Sequence, residues 1–489
     1  MSKQASPLMT YTKMTKKNNL VRVANRLLVP AIAIVCSYSA TAQTKDGGLS
    51  TEMLQQIVNN QRNSSSDKAL FNAMAGNSID NLAKSYMSNS DNDTHFSVET
   101  MAQNIHDQKS SGRCWMFSGF NVLRSNFAKK TDSLRVEFSH AYLFFYDQLE
   151  KSNLFLQGVI DTGKLPIDDP KVQFFFKNPV ADGGTFCGVA DLTEKYGLVP
   201  NTVMPETYNA ENTSKMRSLL MSKLREQGLR LRDMVAQGKS KKQIKEEKAK
   251  MLGVVYRILT LTLGNPTQQF SYAFKNKDGK TVGTPRNYTP QEFYREVAGT
   301  PLNGTFIMVM NDPRHEYHKT YEVEYDRHTY DGHNWVYLNL PMEEIAELAI
   351  ASLKDGRKMY SSYDVGKQLD RKKGLLTLDN FDYESLLGTT FPMNKAQRIS
   401  TFDSGSTHAM TLSAVDLDAN GKPLKWKVEN SWGPEYGHKG CLIMTNEWFN
   451  EYMFRLVVDK KYVSEKLLKE AQQKPIMLTP DDPLFAEDN

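Results

Sequence analysis

The chain has 489 residues, beyond the ~250–300 at which a single hydrophobic core stops growing, so one elaborated fold or two to three lobes is expected. Its 40% hydrophobic and 24% charged residues exclude a disordered chain, and 23 Phe, 22 Tyr and 5 Trp supply the bulk for a large core. The formal charge of +5 is no nucleic-acid footprint, because six basic side chains and no acid lie in residues 1–42, leaving about −1 for the remainder.

That first segment reads as a signal peptide. Lys3, Lys13, Lys16, Lys17, Arg22 and Arg26 precede an apolar run at 27–36, and Ala40-Thr41-Ala42 closes it with small residues. The run is too short to span ~30 Å of hydrocarbon, and bulky Val35 argues against lipidation at Cys36. Cleavage after Ala42, leaving Gln43 first, and export to a bacterial periplasm or beyond are expected. Three cysteines then remain, Cys114, Cys187 and Cys441. An odd number leaves at least one free thiol. A Cys187–Cys441 bridge and two buried thiols both stay open.

Residues 43–94 form an N-terminal arm, whose Asn/Ser-rich start at 43–66 is either loosely held or a first amphipathic helix. Over 114–130, Met116, Phe120, Leu123 and Phe127 share one helical face, and Lys129 and Lys130 suit its C-terminal dipole. This helix belongs to a helical lobe at 95–204. A mainly helical insertion follows at 205–300, with helix over 214–262 broken near Gly238. Its first half carries Met216, Leu220, Leu224 and Leu231 on a buried stripe, and the Lys/Glu mixture of 239–250 reads as a solvated face. From 301 to 465 the pattern turns to short strands at 305–310, 319–325, 334–340, 408–415 and 425–429, with one helix at 342–354 before Gly356. Residues 466–489 form a C-terminal arm. Helices first and strands later predict an α+β protein of two lobes, with substrate in the cleft between them.

The chemistry concentrates in Asp107-Gln108-Lys109-Ser110-Ser111-Gly112-Arg113-Cys114-Trp115-Met116-Phe117-Ser118. A cysteine in the first turn of a helix feels the positive end of the dipole, which favours the nucleophilic thiolate. Gln108, on the loop before it, can join the Cys114 N–H in stabilising an oxyanion. A lone cysteine at a helix start is ordinarily a small core residue, but two later segments argue otherwise. Ser406-Thr407-His408-Ala409-Met410 opens one strand and Val428-Glu429-Asn430-Ser431-Trp432-Gly433 ends another. His408 has the pKa range to take the thiol proton and return it to a leaving amine. Asn430 can hold its tautomer, and Trp432 can shield that bond from water. The order Cys, His, Asn is that of papain-type peptidases. There the base follows ~130–150 residues after the cysteine. Here the separation is 294, which demands a domain-sized insertion and matches the helical region. Pro179-Val180-Ala181-Asp182-Gly183-Gly184 adds paired glycines, which allow close backbone approach to an extended substrate or simply a turn.

Gln-Lys-Ser-Ser-Gly-Arg-Cys-Trp at 108–115, including Trp115, resembles the active-site signature of the bleomycin hydrolase (aminopeptidase C) family of papain-like cysteine peptidases. The resemblance continues through Met393-Asn394-Lys395-Ala396-Gln397-Arg398, the His408 and Asn430 segments, Gly437-His438-Lys439-Gly440 and Val457-Val458-Asp459-Lys460-Lys461, from about residue 95 to the C-terminus. It implies a papain-like two-lobe fold with Cys114 as nucleophile, His408 as base, Asn430 as orienter and Gln108 as oxyanion donor. It also implies a homohexamer enclosing its active sites, acting on peptides. A C-terminal arm in the cleft would present the Asn489 carboxylate to a substrate's α-amine and so make the enzyme an aminopeptidase. Two features depart from the pattern: the leader, in a usually cytosolic family, and the bulky acidic ending Phe485-Ala486-Glu487-Asp488-Asn489. The ending leaves a papain-like endopeptidase as the alternative.

No metal or cofactor is expected. His315-Glu316-Tyr317-His318 falls one residue short of H-E-x-x-H and reads as a surface turn. His438 follows Asn430 instead of preceding it, which makes it a poorer base than His408. The glutamates among the lysines of 239–250 argue against DNA binding there.

Overall fold

The computed structural model describes residues 47–61, 64–86, 93–131 and 134–485; the leader and Asn489 lie outside them. The chain divides into two units, 1–75 and 76–489. The first contains helices Thr51–Asn59 and Ser65–Met74. Ser50 caps the former by accepting from the Met53 N–H, and Ser64 with Asp67 forms a reciprocal capping box on the latter.

In the second unit, helix Cys114–Lys130 buries far more than one stripe. Trp115, Phe117 and Val122 are buried along with Met116, Phe120, Leu123 and Phe127. The reason is its place between strand His408–Leu417 and helix Phe186–Tyr196. Helix His140–Asp161 supports a hairpin of two long helices, Ser214–Ala236 and Lys241–Leu263. The hairpin turns at Gly238, whose φ of 68° suits a residue without Cβ, and restarts on a Ser240–Gln243 capping box. Met216, Leu220, Leu224 and Leu231 face inward opposite Ile244, Met251, Val255 and Leu259. The basic stretch turns its charges outward, and Glu247 pairs with Arg230 at 2.9 Å.

One large mixed sheet carries the other half. Its strands run Ile476–Leu478, Thr320–Val323, Val336–Asn339, Phe306–Met310, Met453–Asp459, Met359–Tyr363, His408–Leu417, Pro423–Glu429, Cys441–Thr445, Leu375–Leu376 and Leu369–Asp370. Val98–Glu99 adds to His408–Leu417, with Val98 opposite Val415. Helix Met342–Lys354 covers one face with Ile345, Ala349 and Leu353, beside Trp426, Trp448 and Phe449. The sequence pattern does not point to Met359–Tyr363 or Met453–Asp459, which lie at the centre. A strand buried on both faces loses the alternation that marks a half-exposed one. Met-Tyr-Ser-Ser-Tyr is wholly buried, and its serines are satisfied by Met410 O at 3.0 Å and Ser406 Oγ at 2.8 Å.

Cys187 and Cys441 are both free thiols, so the bridge left open by the sequence is not formed. The sheet also buries an ion pair, Lys358 with Glu429, directly before Asn430. Burial lowers the Lys358 pKa, and the Glu429 carboxylate opposes it. Removing one member of a buried pair strands the other, at ~3–5 kcal/mol, whereas replacing both by apolar groups is far milder. Lys358→Met should therefore lose about that much stability in urea unfolding, and Lys358→Met/Glu429→Leu should recover most of it. A single variant within about 1 kcal/mol of wild type would contradict this account of the pair.

Candidate active site

The loop before Cys114 is shaped by its own side chains. Asp107 accepts from the Lys109 N–H at 2.7 Å and from Lys109 Nζ at 2.6 Å, holding Lys109 at a left-handed φ of 55°. Ser111 Oγ donates to Gln108 O at 2.6 Å and accepts from Arg113 Nε at 3.0 Å. Arg113 is fully buried, donates to Glu206 at 2.8 Å and lies over the Phe117 and Phe144 rings. Cys114 follows as the first helical residue and is half-buried. First-turn N–H groups have no intrahelical acceptor, so this end attracts negative charge.

Gln108 is buried and fixed from the far half of the chain. Its N–H donates to Ser431 O at 2.8 Å, and its Oε1 accepts from Ser431 Oγ at 2.6 Å. One Nε2 hydrogen is donated to Ser111 O at 2.5 Å; an amide carries a second.

His408 opens the ten-residue strand His408–Leu417 opposite Tyr363, and Asn430 directly follows Pro423–Glu429. Because Thr411 pairs with Glu429, both residues emerge at one end of adjacent strands. His408 Nε2 and Asn430 Oδ1 are 2.7 Å apart. An amide oxygen only accepts, so Nε2 carries the hydrogen and Nδ1 is left basic. Trp432 stacks on the imidazole at 5.1 Å and 28°. Burial pulls the His408 pKa down to about 4, against the opposing effect of the Asn430 hydrogen bond.

Gln108, Cys114, Gly183, Gly184 and His408 line one cleft. Asn430 and Trp432 stand behind His408. Trp115 is buried beneath the wall and donates Nε1–H to Asp182 O at 2.8 Å. Neither glycine has a positive φ, so neither is required by a left-handed backbone position. A Cβ on Gly184 would lie 2.1 Å from His328 Cε1. His328, buried and 2.5 Å from Asp147, thus accounts for this glycine from behind the wall. Lys151 holds the same wall, donating to Ala181 O at 3.0 Å and Gly183 O at 2.6 Å.

The C-terminal arm pairs Ile476–Leu478 in parallel with Thr320–Val323 and then buries Leu484 and Phe485. Leu484 O accepts from the Ser406 N–H at 3.2 Å, which brings the last described residues beside the His408 end of the cleft.

His438 stays in a turn, its N–H on Cys441 O at 2.9 Å, and does not line the cleft. His318 pairs with Glu344 at 3.2 Å and Glu470 at 3.0 Å. Sequence reasoning missed three charged residues of the cleft: Asp182, Arg217 and Arg455. Asp182 adjoins the paired glycines, a signal that could have found it. Arg217 arrives from the helical hairpin and Arg455 from a central strand, and no local pattern turns either inward.

The model of the Peptidase C1-like family matches residues 48–485. Human bleomycin hydrolase is 41% identical over 390 residues, covering 78% of this chain and 86% of that protein. Aminopeptidase C of Lactobacillus delbrueckii subsp. lactis is 38% identical over 420 residues, covering 85% and 93%. The crystal structure of PepW from Lactobacillus rhamnosis superposes with a TM-score of 0.85 at 35% identity, covering 90% of this chain and 99% of that one. With a match running nearly from end to end in both sequence and fold, this chain belongs to the Peptidase C1-like family.

Proposed function

We propose that the protein is a cysteine aminopeptidase, removing residues from peptide N-termini through an acyl-enzyme. The observation that carries this is the convergence of Cys114, Gln108 and an Asn430-oriented His408 on one cleft. His408 Nδ1 takes the Cys114 thiol proton. The thiolate attacks the scissile carbonyl, and the Cys114 N–H with the second Gln108 amide hydrogen receives the developing oxyanion. The imidazolium passes its proton to the leaving amine, giving a thioester. His408 then deprotonates a water, which attacks the thioester, and the thiol is restored.

Exopeptidase register comes from the arm. The support is that the described part of the arm ends beside Ser406, where Leu484 O accepts from the Ser406 N–H at the His408 end of the cleft. In this reading the Asn489 carboxylate meets a substrate's α-ammonium. The names of the relatives favour the same activity. Homohexameric assembly and export with cleavage after Ala42 are part of this reading. They rest on the family resemblance and on the basic and apolar pattern of residues 1–42.

Cys114→Ala should abolish turnover of aminoacyl-coumarins under reducing conditions. Wild type should cleave a free-amine peptide much faster than its acetylated twin, and deletion of 486–489 should erase that preference. Equal rates on both peptides in the wild type would instead establish an endopeptidase. The pH profile is a separate test. With burial lowering the pKa of the base beside a neutral thiol to about 4, the Cys114–His408 pair takes up a second proton, and His408 is lost as base, only below that pH. The acid limb of kcat/KM should fall near 4; a limb near 6.5, the ordinary imidazole value, would contradict the buried base.

A further inference from the structure

Asp182 forms the part of the cleft wall that touches the nucleophile loop. Its Oδ2 accepts from the Gly112 N–H at 3.3 Å and from the Thr213 hydroxyl. A Cβ on Gly112 would lie 2.8 Å from the Asp182 Cβ, so loop and wall are in direct contact. Cys114 attacks the carbonyl of the substrate's first residue, and Gly183 and Gly184 run along the wall beyond. The subsite bounded by Gly112, Asp182 and Gly183 therefore receives the side chain of the residue to be released.

The two oxygens of this carboxylate differ. Oδ2 is occupied and fixes the side chain. Oδ1 is buried without a hydrogen-bond partner, in a residue only 6% exposed. Such an oxygen is costly to leave unmet. The nearest cation is Arg217, whose Nε stands 4.0 Å away with a side chain 39% exposed. At that distance and exposure an ion pair contributes little. A second cation that reached Oδ1 with a real hydrogen bond would displace Arg217 at little cost.

We propose that Asp182 is the specificity carboxylate of this subsite, that Arg217 is its displaceable cover, and that the pair selects peptides beginning with Lys or Arg. This rests on the peptidase reading above. Arg217 belongs to the helical hairpin, so the insertion contributes directly to substrate choice. Thr213 and Ser214, which precede it, line the same cleft.

The test is a ratio: kcat/KM for arginyl-coumarin over citrullyl-coumarin, two side chains of nearly one shape that differ in charge. Asp182→Asn keeps an acceptor for Thr213 and Gly112 but removes the charge, and should lower the ratio about tenfold. Arg217→Ala should raise it about threefold by uncovering Oδ1. A ratio that Asp182→Asn leaves unchanged, with both substrates slowed alike, would overturn the proposal and leave Asp182 a brace between loop and wall. A ratio that falls in Arg217→Ala would overturn it independently, even if Asp182→Asn failed to fold. Failure of the peptidase reading is distinguishable, because activity would then survive Cys114→Ala.

Discussion

Gln108 is tied to Ser431 twice, through its backbone N–H at 2.8 Å and its side-chain oxygen at 2.6 Å, across 323 residues of sequence. Asp107 bridges Trp432 alongside. The start of the cysteine helix is thus fixed to the strand end that carries Asn430, which in turn holds His408. Net hydrogen bonds contribute ~1 kcal/mol each, whereas each large apolar side chain buried along that helix contributes ~1.5–3 kcal/mol. Packing therefore keeps the helix on the sheet, and these few polar contacts decide how its first turn is aimed. The division explains why a mostly apolar interface can hold a site that depends on hydrogen-bond geometry.

The residues that converge at the cleft were legible because their types are restricted. A helix-start cysteine, a histidine opening a strand and an asparagine ending the next have few other reasons to occur in that order. The helices at 114–130, 214–262 and 342–354 were legible from periodicity, and observed bounds differ from expected ones by little. The central strands were not, since burial on both faces removes the alternation that identifies a strand. The reason for Gly184 was hidden as well. It depends on His328, 144 residues later, occupying the space a Cβ would need. Arg217 illustrates the same limit: exposed helical arginines are common, and only tertiary placement brings this one to the cleft.

Buried charge recurs around the site, and each case has a partner of opposite sign or a set of hydrogen bonds. Arg113 meets Glu206, Lys358 meets Glu429, and Lys151 meets Asp147 at 3.1 Å. His328, which burial holds below the ordinary imidazole range against the pull of Asp147, completes the last group. These pairs fix the segments 107–113, 181–184 and 429–432, the three that frame the cleft. His408 is different, since its protein partner Asn430 is neutral. Its imidazolium becomes favourable only beside an anion, and before substrate binds the proposed reaction supplies one in the Cys114 thiolate. The low pKa that burial imposes on the isolated base therefore couples protonation of His408 to ionisation of Cys114.

That coupling is the centre of the account, and alkylation of Cys114 by iodoacetamide across pH measures it without substrate. A thiolate–imidazolium pair predicts rapid alkylation well below pH 7, and loss of that low-pH reactivity in His408→Ala. A single inflection near 8.5, the value of an ordinary free thiol, in the wild type would contradict it.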